Sequence, residues 1–328
     1  MIQTYGFSLI GTSHEEKEDG VCQDSHGITK LSNGTVIAAV ADGVGSCKYS
    51  DIASKIAVTT SLNVCEAGIM SNQSNDVISL IKEAFTKAES EIEAHSIANN
   101  HTMSEYHTTL TLVIYDGKHI SYGHCGDGGI IGLTTKGDYV QITTPQKDEG
   151  IYVVPLREKE RWIFGTPEEK LASILLATDG VYDELLPSLL KGQPNEIYIP
   201  LAKYFMDNSL LENESATIEN IGNERKDFLN SAACASITDD KTIVVLINSN
   251  IIPDVKEDAY YQEPDWDALQ KERYKKLYPH LVSDNEVDEN NEIQDTNKTD
   301  DCKKVEDSAE VEEENRADEK NDGEDAVI

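Results

Sequence analysis

Apolar residues form short continuous runs in some parts of the chain and helical spacings in others. Short apolar runs between turn residues are typical of strands, here residues 5–10, 35–40, 108–115, 119–125, 129–134, 139–142, 171–177 and 243–247. Apolar residues three and four apart predict helices at residues 50–67, 77–98, 196–211 and 223–235. Turn signals separate the four strands between residues 108 and 142, which predicts an antiparallel meander.

This order of elements predicts a two-layer sheet core with helices outside. We therefore expect an α+β fold, a four-layer α-β-β-α sandwich of two mainly antiparallel sheets packed face to face, in one domain over residues 1–250. Helical spacing at residues 265–278 predicts a docking helix within a linker at residues 251–280. Residues 281–328 hold 19 acidic and 5 basic residues and no aromatic one, so they predict a disordered acidic tail.

The net charge argues against some classes of partner, and the cysteine spacing argues against some kinds of site. A formal net charge of −33 repels nucleic acid and anionic membranes, and no apolar run reaches the roughly 18 residues of a membrane span. We expect a cytoplasmic monomer without nucleic-acid or membrane partners. The six cysteines form no Cys-x-x-Cys pair, which argues against a structural zinc site or a disulfide framework.

Four aspartates lie at the ends of apolar runs, in residues 40–45, 124–128, 177–180 and 238–242. A single Asp-Gly pair is most often a turn, because Asp accepts local backbone hydrogen bonds and Gly takes positive φ. Four such aspartates are harder to explain as turns, since strands can deliver them to one rim of the fold. Clustered carboxylates bind hard divalent cations, so a metal centre is expected there.

The motifs around these aspartates resemble the ordered signatures of the metal-dependent serine/threonine phosphatases, type 2C, across residues 6–248. They read Ala41-Asp42-Gly43-Val44-Gly45-Ser46, Gly126-Asp127-Gly128, Thr178-Asp179-Gly180-Val181-Tyr182-Asp183 and Asp239-Asp240-Lys241-Thr242. Two further motifs resemble the bacterial branch of that family: Gly11-Thr12-Ser13-His14 and Gln23-Asp24-Ser25. The tail lies outside this resemblance.

The resemblance implies a role for each matching residue. Asp42 would bridge two Mn²⁺ or Mg²⁺ ions, with the Gly43 carbonyl on one ion and Asp179 and Asp239 on the other. Asp127 would hold a third, looser ion together with Asp179. The catalytic set would then be Asp42, Asp179 and Asp239, and a water bridging two ions about 3.5–4 Å apart would attack the phosphate without a covalent phosphoenzyme.

The remaining positions include three departures from the family pattern. Asp24 would bind metal through water, and Asp240, at the position of the usual Asn, would orient Asp239. Asp19 stands where many relatives have a phosphate-gripping arginine, so His14 and Lys17 are the candidate phosphate contacts. Val44 stands where some relatives have a histidine as general acid, which leaves water or His14 to protonate the leaving group.

The function implied by the resemblance is removal of phosphate from serine or threonine of a protein substrate, reversing a bacterial kinase. The alternative is a catalytically weak phosphatase-fold module that binds phosphorylated partners through the docking helix and tail. A haloacid-dehalogenase-type enzyme is disfavoured because Asp42-Gly43-Val44 lacks the second carboxylate of an Asp-x-Asp motif. His124, beside the Asp127 loop, is interpreted as a packed core histidine rather than a metal ligand.

Overall fold

The computed structural model describes residues 1–15, 20–71, 76–148, 152–211 and 217–279. The chain divides into two compact units, Met1–Tyr274 and Lys275–Ile328, and the first carries the fold described below. The strands are β1 (Ile2–Leu9), β2 (Ser25–Lys30), β3 (Val36–Ala41), β4 (Leu110–Tyr115), β5 (Ile120–Cys125), β6 (Gly129–Thr134), β7 (Tyr139–Gln141), β8 (Lys147–Asp148), β9 (Tyr152–Val153), β10 (Ile163–Gly165), β11 (Leu171–Ala177) and β12 (Lys241–Asn248). The α-helices are α1 (Thr12–Glu15), α2 (Ser50–Met70), α3 (Val77–Ala98), α4 (Asp179–Leu185), α5 (Ile199–Met206), α6 (Ile218–Leu229) and α7 (Trp266–Leu277).

The described strands form two five-stranded sheets and one short two-stranded sheet. One sheet has the order β1-β12-β11-β6-β7, the other has the order β10-β5-β4-β3-β2, and β8 pairs with β9. Neighbouring strands in both sheets run antiparallel. This confirms the predicted α+β fold with two antiparallel sheets.

Alternation along the buried strands explains the four layers. In β3, Val36, Ala38 and Val40 join the core between the sheets, while Ile37, Ala39 and Ala41 pack with α2 and α3. In β12, Val244 and Leu246 face the core between the sheets, while Ile243, Val245 and Ile247 pack with α4, α5 and α6. Each sheet is therefore buried on both faces, and this fits strands that are apolar at every position.

The predicted meander is wrong. β4 pairs with β5 and β6 pairs with β7, but β5 and β6 belong to different sheets. The chain crosses between sheets at residues 126–128, where Gly126 has a φ of +129° and a Cβ would lie 2.5 Å from Thr109 Cβ. This crossing cannot be read from strand spacing, because the turn resembles a hairpin turn in sequence.

Other corrections concern weakly patterned segments. β2, β10 and α4 were not predicted, and the helix expected at residues 196–211 ends at Met206 because Asp207 is extended. The helix expected at residues 223–235 is α6, which begins after Thr217, whose side chain caps Asn220 N at 3.2 Å. The long helices α2 and α3 and the strands β3, β6 and β11 lie close to their predicted ranges.

Residues 251–274 contact the rest of the first unit. Tyr260 Oη accepts a hydrogen bond from Tyr139 N at 2.9 Å, and the Trp266 ring lies 5.3 Å from the Tyr198 ring. The predicted helix at residues 265–278 is found as α7. The domain boundaries stay predictions, and the tail at residues 281–328 lies outside the described residues.

Among the helices that the structure describes, none has the length and apolar content of a membrane span.

Candidate metal centre

Three of the predicted aspartates meet at one rim of the sandwich. Asp42 follows β3, Asp127 lies in the crossing between β5 and β6, and Asp179 opens α4 directly after β11. One carboxylate oxygen of each lies within 4.8 Å of those of the other two. We call Asp42, Asp127 and Asp179 the aspartate cluster. Asp239, just before β12, is exposed and is not part of this cluster, although its charge acts on Asp42 and Asp179.

Glycines beside the aspartates allow the loops to approach one another. A Cβ on Gly128 would lie 2.4 Å from the Ala177 carbonyl oxygen, and one on Gly180 would lie 2.1 Å from the Asp240 carbonyl oxygen. Because any side chain would overlap backbone there, these positions require glycine. The Asp-Gly pattern therefore reflects loop packing as well as any carbonyl that a glycine offers to an ion.

The backbone of Asp42 is fixed by two threonines. Its carbonyl oxygen accepts hydrogen bonds from Thr109 N and Thr108 Oγ1, both at 2.8 Å, and its N–H donates to Thr109 Oγ1 at 2.8 Å. Gly43 pairs with Thr108 as an isolated bridge, next to the turn that leads into α2. These hydrogen bonds fix the backbone of Asp42 without using its carboxylate oxygens.

The site is electrostatically unfavourable without cations. Burial, followed by the neighbouring charges of Asp127 and Asp239, raises the pKa of Asp179 to about 8. Burial also raises the pKa of Asp42 well above its usual range, with Asp24 and Asp179 adding to the effect, and burial raises that of Asp127. Clustered carboxylates that resist ionisation are a donor set that hard divalent cations would satisfy.

Asp127 supplies a second observation in favour of a cation. Its side chain is buried, and its Oδ1 atom has no hydrogen-bond partner among the described residues. A buried carboxylate oxygen without a partner is costly, and a neighbouring cation would reduce that cost. Together with the raised pKa values of Asp42 and Asp179, this shows that the residues present fit a divalent metal centre.

The two predicted supporting aspartates have distinct partners. Asp24 Oδ2 accepts a hydrogen bond from Thr178 Oγ1 at 2.7 Å, and burial raises the pKa of Asp24 to about 7. Asp240 is buried, and its two oxygens accept hydrogen bonds from Gly11 N at 2.7 Å and Gln23 N at 2.6 Å. Asp240 thus ties the start of β12 to the loops on both sides of α1.

Of the two candidate phosphate contacts, His14 and Lys17, the structure describes only His14. His14 is buried, with Nδ1 3.0 Å from Asp240 Oδ1, and a Cβ on Gly45 would lie 3.9 Å from His14 Nε2. The edge of the ring that carries Nε2 therefore faces the loop after Asp42. Lys17 lies outside the described residues.

His124 occupies the protein core, as the sequence indicated. Its Nδ1 lies 2.9 Å from Thr111 Oγ1, its side chain is fully buried, and burial lowers its pKa to about 4. A neutral histidine held by a threonine in the sheet has a packing role.

Sequence reasoning missed Lys147, at the start of β8. Its Nζ lies 3.6 Å from Asp127 Oδ2 and 3.5 Å from Asp183 Oδ2. The residue lies in a short strand without apolar periodicity, so no local pattern identified it. Lys147 is brought to the crossing between β5 and β6 by long-range hydrogen bonds of its neighbour Gln146, which the sequence does not reveal.

Comparison with known proteins supports the family resemblance. The family model for protein phosphatase 2C matches residues 10–216. The catalytic domain of the serine threonine protein phosphatase PstP, solved in complex with 2 manganese ions, is 19% identical, with a TM-score of 0.51 over 75% of this chain and 97% of that chain. The Mycobacterium tuberculosis serine/threonine phosphatase PstP/Ppp is 18% identical, with a TM-score of 0.51 over 77% of this chain and 99% of that chain.

A variant of a bacterial serine phosphatase is 16% identical, with a TM-score of 0.50 over 78% of this chain and 100% of that chain. At such identities the solved structures show a shared fold. Comparison with curated protein sequences gives no match. Since the family model spans more than half of the sequence, the chain belongs to the protein phosphatase 2C family.

Proposed function

We propose that this protein is a metal-dependent phosphatase that removes phosphate from phosphoserine and phosphothreonine of protein substrates. The observation that carries the proposal is the aspartate cluster, with carboxylate oxygens of Asp42, Asp127 and Asp179 within 4.8 Å of one another. The relative PstP is a serine threonine protein phosphatase solved with manganese, which favours the same reaction class.

In this proposal two Mn²⁺ or Mg²⁺ ions would be held by Asp42, with the Gly43 carbonyl as a ligand of one and Asp179 and Asp239 as ligands of the other. When bound, such ions activate water for attack on phosphorus and neutralise phosphate charge. The chain's own residues hold the ions in place: Thr108 and Thr109 fix the Asp42 backbone, and Asp240 N donates to Asp239 Oδ1 at 2.8 Å.

Three of the described cysteines are poor alternatives as nucleophiles. Burial raises the pKa of both Cys65 and Cys125 to about 12, and burial with the charges of Asp240 and Asp24 raises that of Cys22, so these thiols stay protonated at neutral pH. This argues against a phosphoenzyme formed on any of these three cysteines.

His14 is the proposed contact for the substrate phosphate or the leaving group. It lies against Asp240 on one edge and faces Gly45 on the other. A histidine close to a carboxylate can donate a proton or a hydrogen bond to a bound phosphate. The product of a serine/threonine kinase is the proposed substrate, and a cytoplasmic location and a monomeric state stay predictions from the sequence.

The test is hydrolysis of a phosphothreonine peptide by metal-stripped protein titrated with Mn²⁺. Wild type is run beside Asp42→Asn and beside Asp227→Asn, which makes the same change at an exposed position of α6. We expect Mn²⁺-dependent turnover in wild type and Asp227→Asn and none in Asp42→Asn. Equal turnover in all three would refute the metal mechanism, and bound Mn²⁺ without turnover would favour the phospho-binding module instead.

A further inference from the structure

Lys147 places a positive charge at the edge of the aspartate cluster. Its Nζ atom lies between Asp127 and Asp183, at 3.6 and 3.5 Å from their Oδ2 atoms, and its side chain is 30% exposed. A lysine ammonium group is charged at neutral pH, with a usual pKa of about 10.4. Its charge therefore lies at the edge of the aspartate cluster, next to Asp127.

The backbone of Lys147 is held beside Asp127 by the preceding residue, Gln146. Gln146 N donates to the Gly126 carbonyl at 2.8 Å, and Gly126 N donates to Gln146 Oε1 at 3.0 Å. Gln146 Nε2 donates to the Arg161 carbonyl at 2.8 Å, and Val154 N donates to the Gln146 carbonyl at 3.2 Å. The residues before Lys147 and before Asp127 are thus joined by a reciprocal pair of hydrogen bonds.

These hydrogen bonds place the backbone of Lys147 next to that of Asp127. The hairpin of β8 and β9 continues into Val154, which is fully buried in the core beneath α2 and α3. The backbone on both sides of Lys147 is therefore anchored, by Gln146 before it and by the buried Val154 after β9.

We propose that the ammonium group of Lys147 takes the place of a third metal ion at Asp127, so that the centre holds two divalent ions and one lysine. This inference rests on the proposed phosphatase function, in which Asp42, Asp179 and Asp239 hold two ions. It revises the expectation of a third, looser ion shared by Asp127 and Asp179.

The physical reason is competition between cations for one carboxylate. A unit charge 3.6 Å from Asp127 Oδ2 repels any divalent ion that approaches the same oxygens. Replacing the ammonium by a neutral amide removes that repulsion and leaves Asp127 without its cation. The affinity for a further divalent ion should then rise by about tenfold or more, given the size of charge interactions at this separation.

The experiment measures bound Mn²⁺ per chain by equilibrium dialysis of the full-length, metal-stripped protein. Wild type is compared with Lys147→Gln, with Lys147→Arg, which keeps the charge, and with Lys136→Gln. Lys136 is the matched control because it also pairs with a carboxylate, Glu169 at 2.9 Å, but with its side chain 68% exposed. All variants keep the acidic tail, so weak Mn²⁺ binding there cancels in the differences.

We expect two tightly bound ions in wild type, Lys147→Arg and Lys136→Gln, and a third in Lys147→Gln. The double variant Lys147→Gln/Asp127→Asn should lose that third ion, which would assign it to Asp127. Three tight ions in wild type, or no gain in Lys147→Gln, would overturn the inference while leaving the phosphatase proposal intact. Equal Mn²⁺ binding by wild type and Asp42→Asn would overturn the two-ion centre itself.

Discussion

Removing metal should make the stability of this protein fall as pH rises from 6.5 to 8. The pKa values of Asp179 and Asp24 are raised to about 8 and about 7, whereas in the unfolded chain an aspartate has lost its proton above about pH 5. The folded state therefore binds more protons than the unfolded state in this window. Stability that is fully present below the unfolded pKa is lost as pH rises through the folded pKa.

The magnitude follows from the number of retained protons. Each proton held only by the folded state contributes a slope of about 1.4 kcal/mol per pH unit. Integrated over the window, Asp179 and Asp24 together account for about 2 kcal/mol, and the raised pKa of Asp42 adds to the loss. For a domain of this size a net loss of about 1–2 kcal/mol lowers the Tm by about 2–8 °C.

Other titrating groups change the slope near the ends of the window. Burial lowers the pKa values of His26, His107 and His124, so these residues contribute stability that increases with pH until the unfolded histidines, with a pKa of about 6.5, have lost their protons. Between pH 6.5 and 8 this gain is about 1 kcal/mol and offsets about half of the loss from Asp179 and Asp24. Above about pH 8 the raised pKa values of Cys65 and Cys125 add a loss of their own. The net fall in stability is therefore steepest between about pH 7 and 8.

The assay is calorimetry of EDTA-treated protein at pH 6.5 and 8, repeated with saturating Mn²⁺. Mn²⁺ should abolish the fall in Tm, because bound ions replace the protons. Metal-free Asp179→Asn should be more stable than wild type at pH 8 and show a smaller slope, while Asp227→Asn keeps the wild-type slope. A Tm of metal-free wild type that is constant or rises across the window would refute the reasoning.

Three further outcomes are expected. Gly180→Ala should destabilise the fold by about 1–3 kcal/mol in denaturant unfolding, since its Cβ would lie 2.1 Å from a backbone oxygen. Gly45→Ala, where the nearest atom is 3.7 Å away, is its control, and equal losses would contradict this explanation. Asp239→Asn should abolish Mn²⁺-dependent turnover with an unchanged circular dichroism spectrum, and retained turnover would remove Asp239 from the site. Truncation before Ser283 should leave the hydrolysis of p-nitrophenyl phosphate unchanged, and a large loss would make the tail part of the enzyme.

Much of the fold could be predicted because its elements are strongly periodic or continuously apolar. α3 begins and ends at the predicted residues, since Ile81, Ala84, Phe85 and Ala88 repeat at helical spacing and are fully buried. β11 was equally clear, as seven consecutive buried residues between polar flanks. In both cases packing reinforces the local preference.

The unpredicted elements lack such a signal. Every residue of β2 except its last is only half-buried, so an edge strand with mixed side chains gives little alternation. α4 has seven residues and begins at Asp179, where the Asp-Gly pair also suggests a turn. The crossing between β5 and β6 depends on which sheet each strand joins, and that is decided by contacts far apart in the chain.

The same distinction holds within the candidate site. Asp42, Asp127 and Asp179 could be located because each follows a buried strand, and strand ends meet at a rim. Lys147 could not, since its place depends on the hydrogen bonds of Gln146 to Gly126 across 20 residues. The clustered carboxylates repel one another and would be stabilised by cations, and the apolar packing on both faces of each sheet keeps them together. In the inference drawn above, Lys147 supplies one of these cations from the chain itself, so the number of bound ions would depend on a segment without any motif of its own.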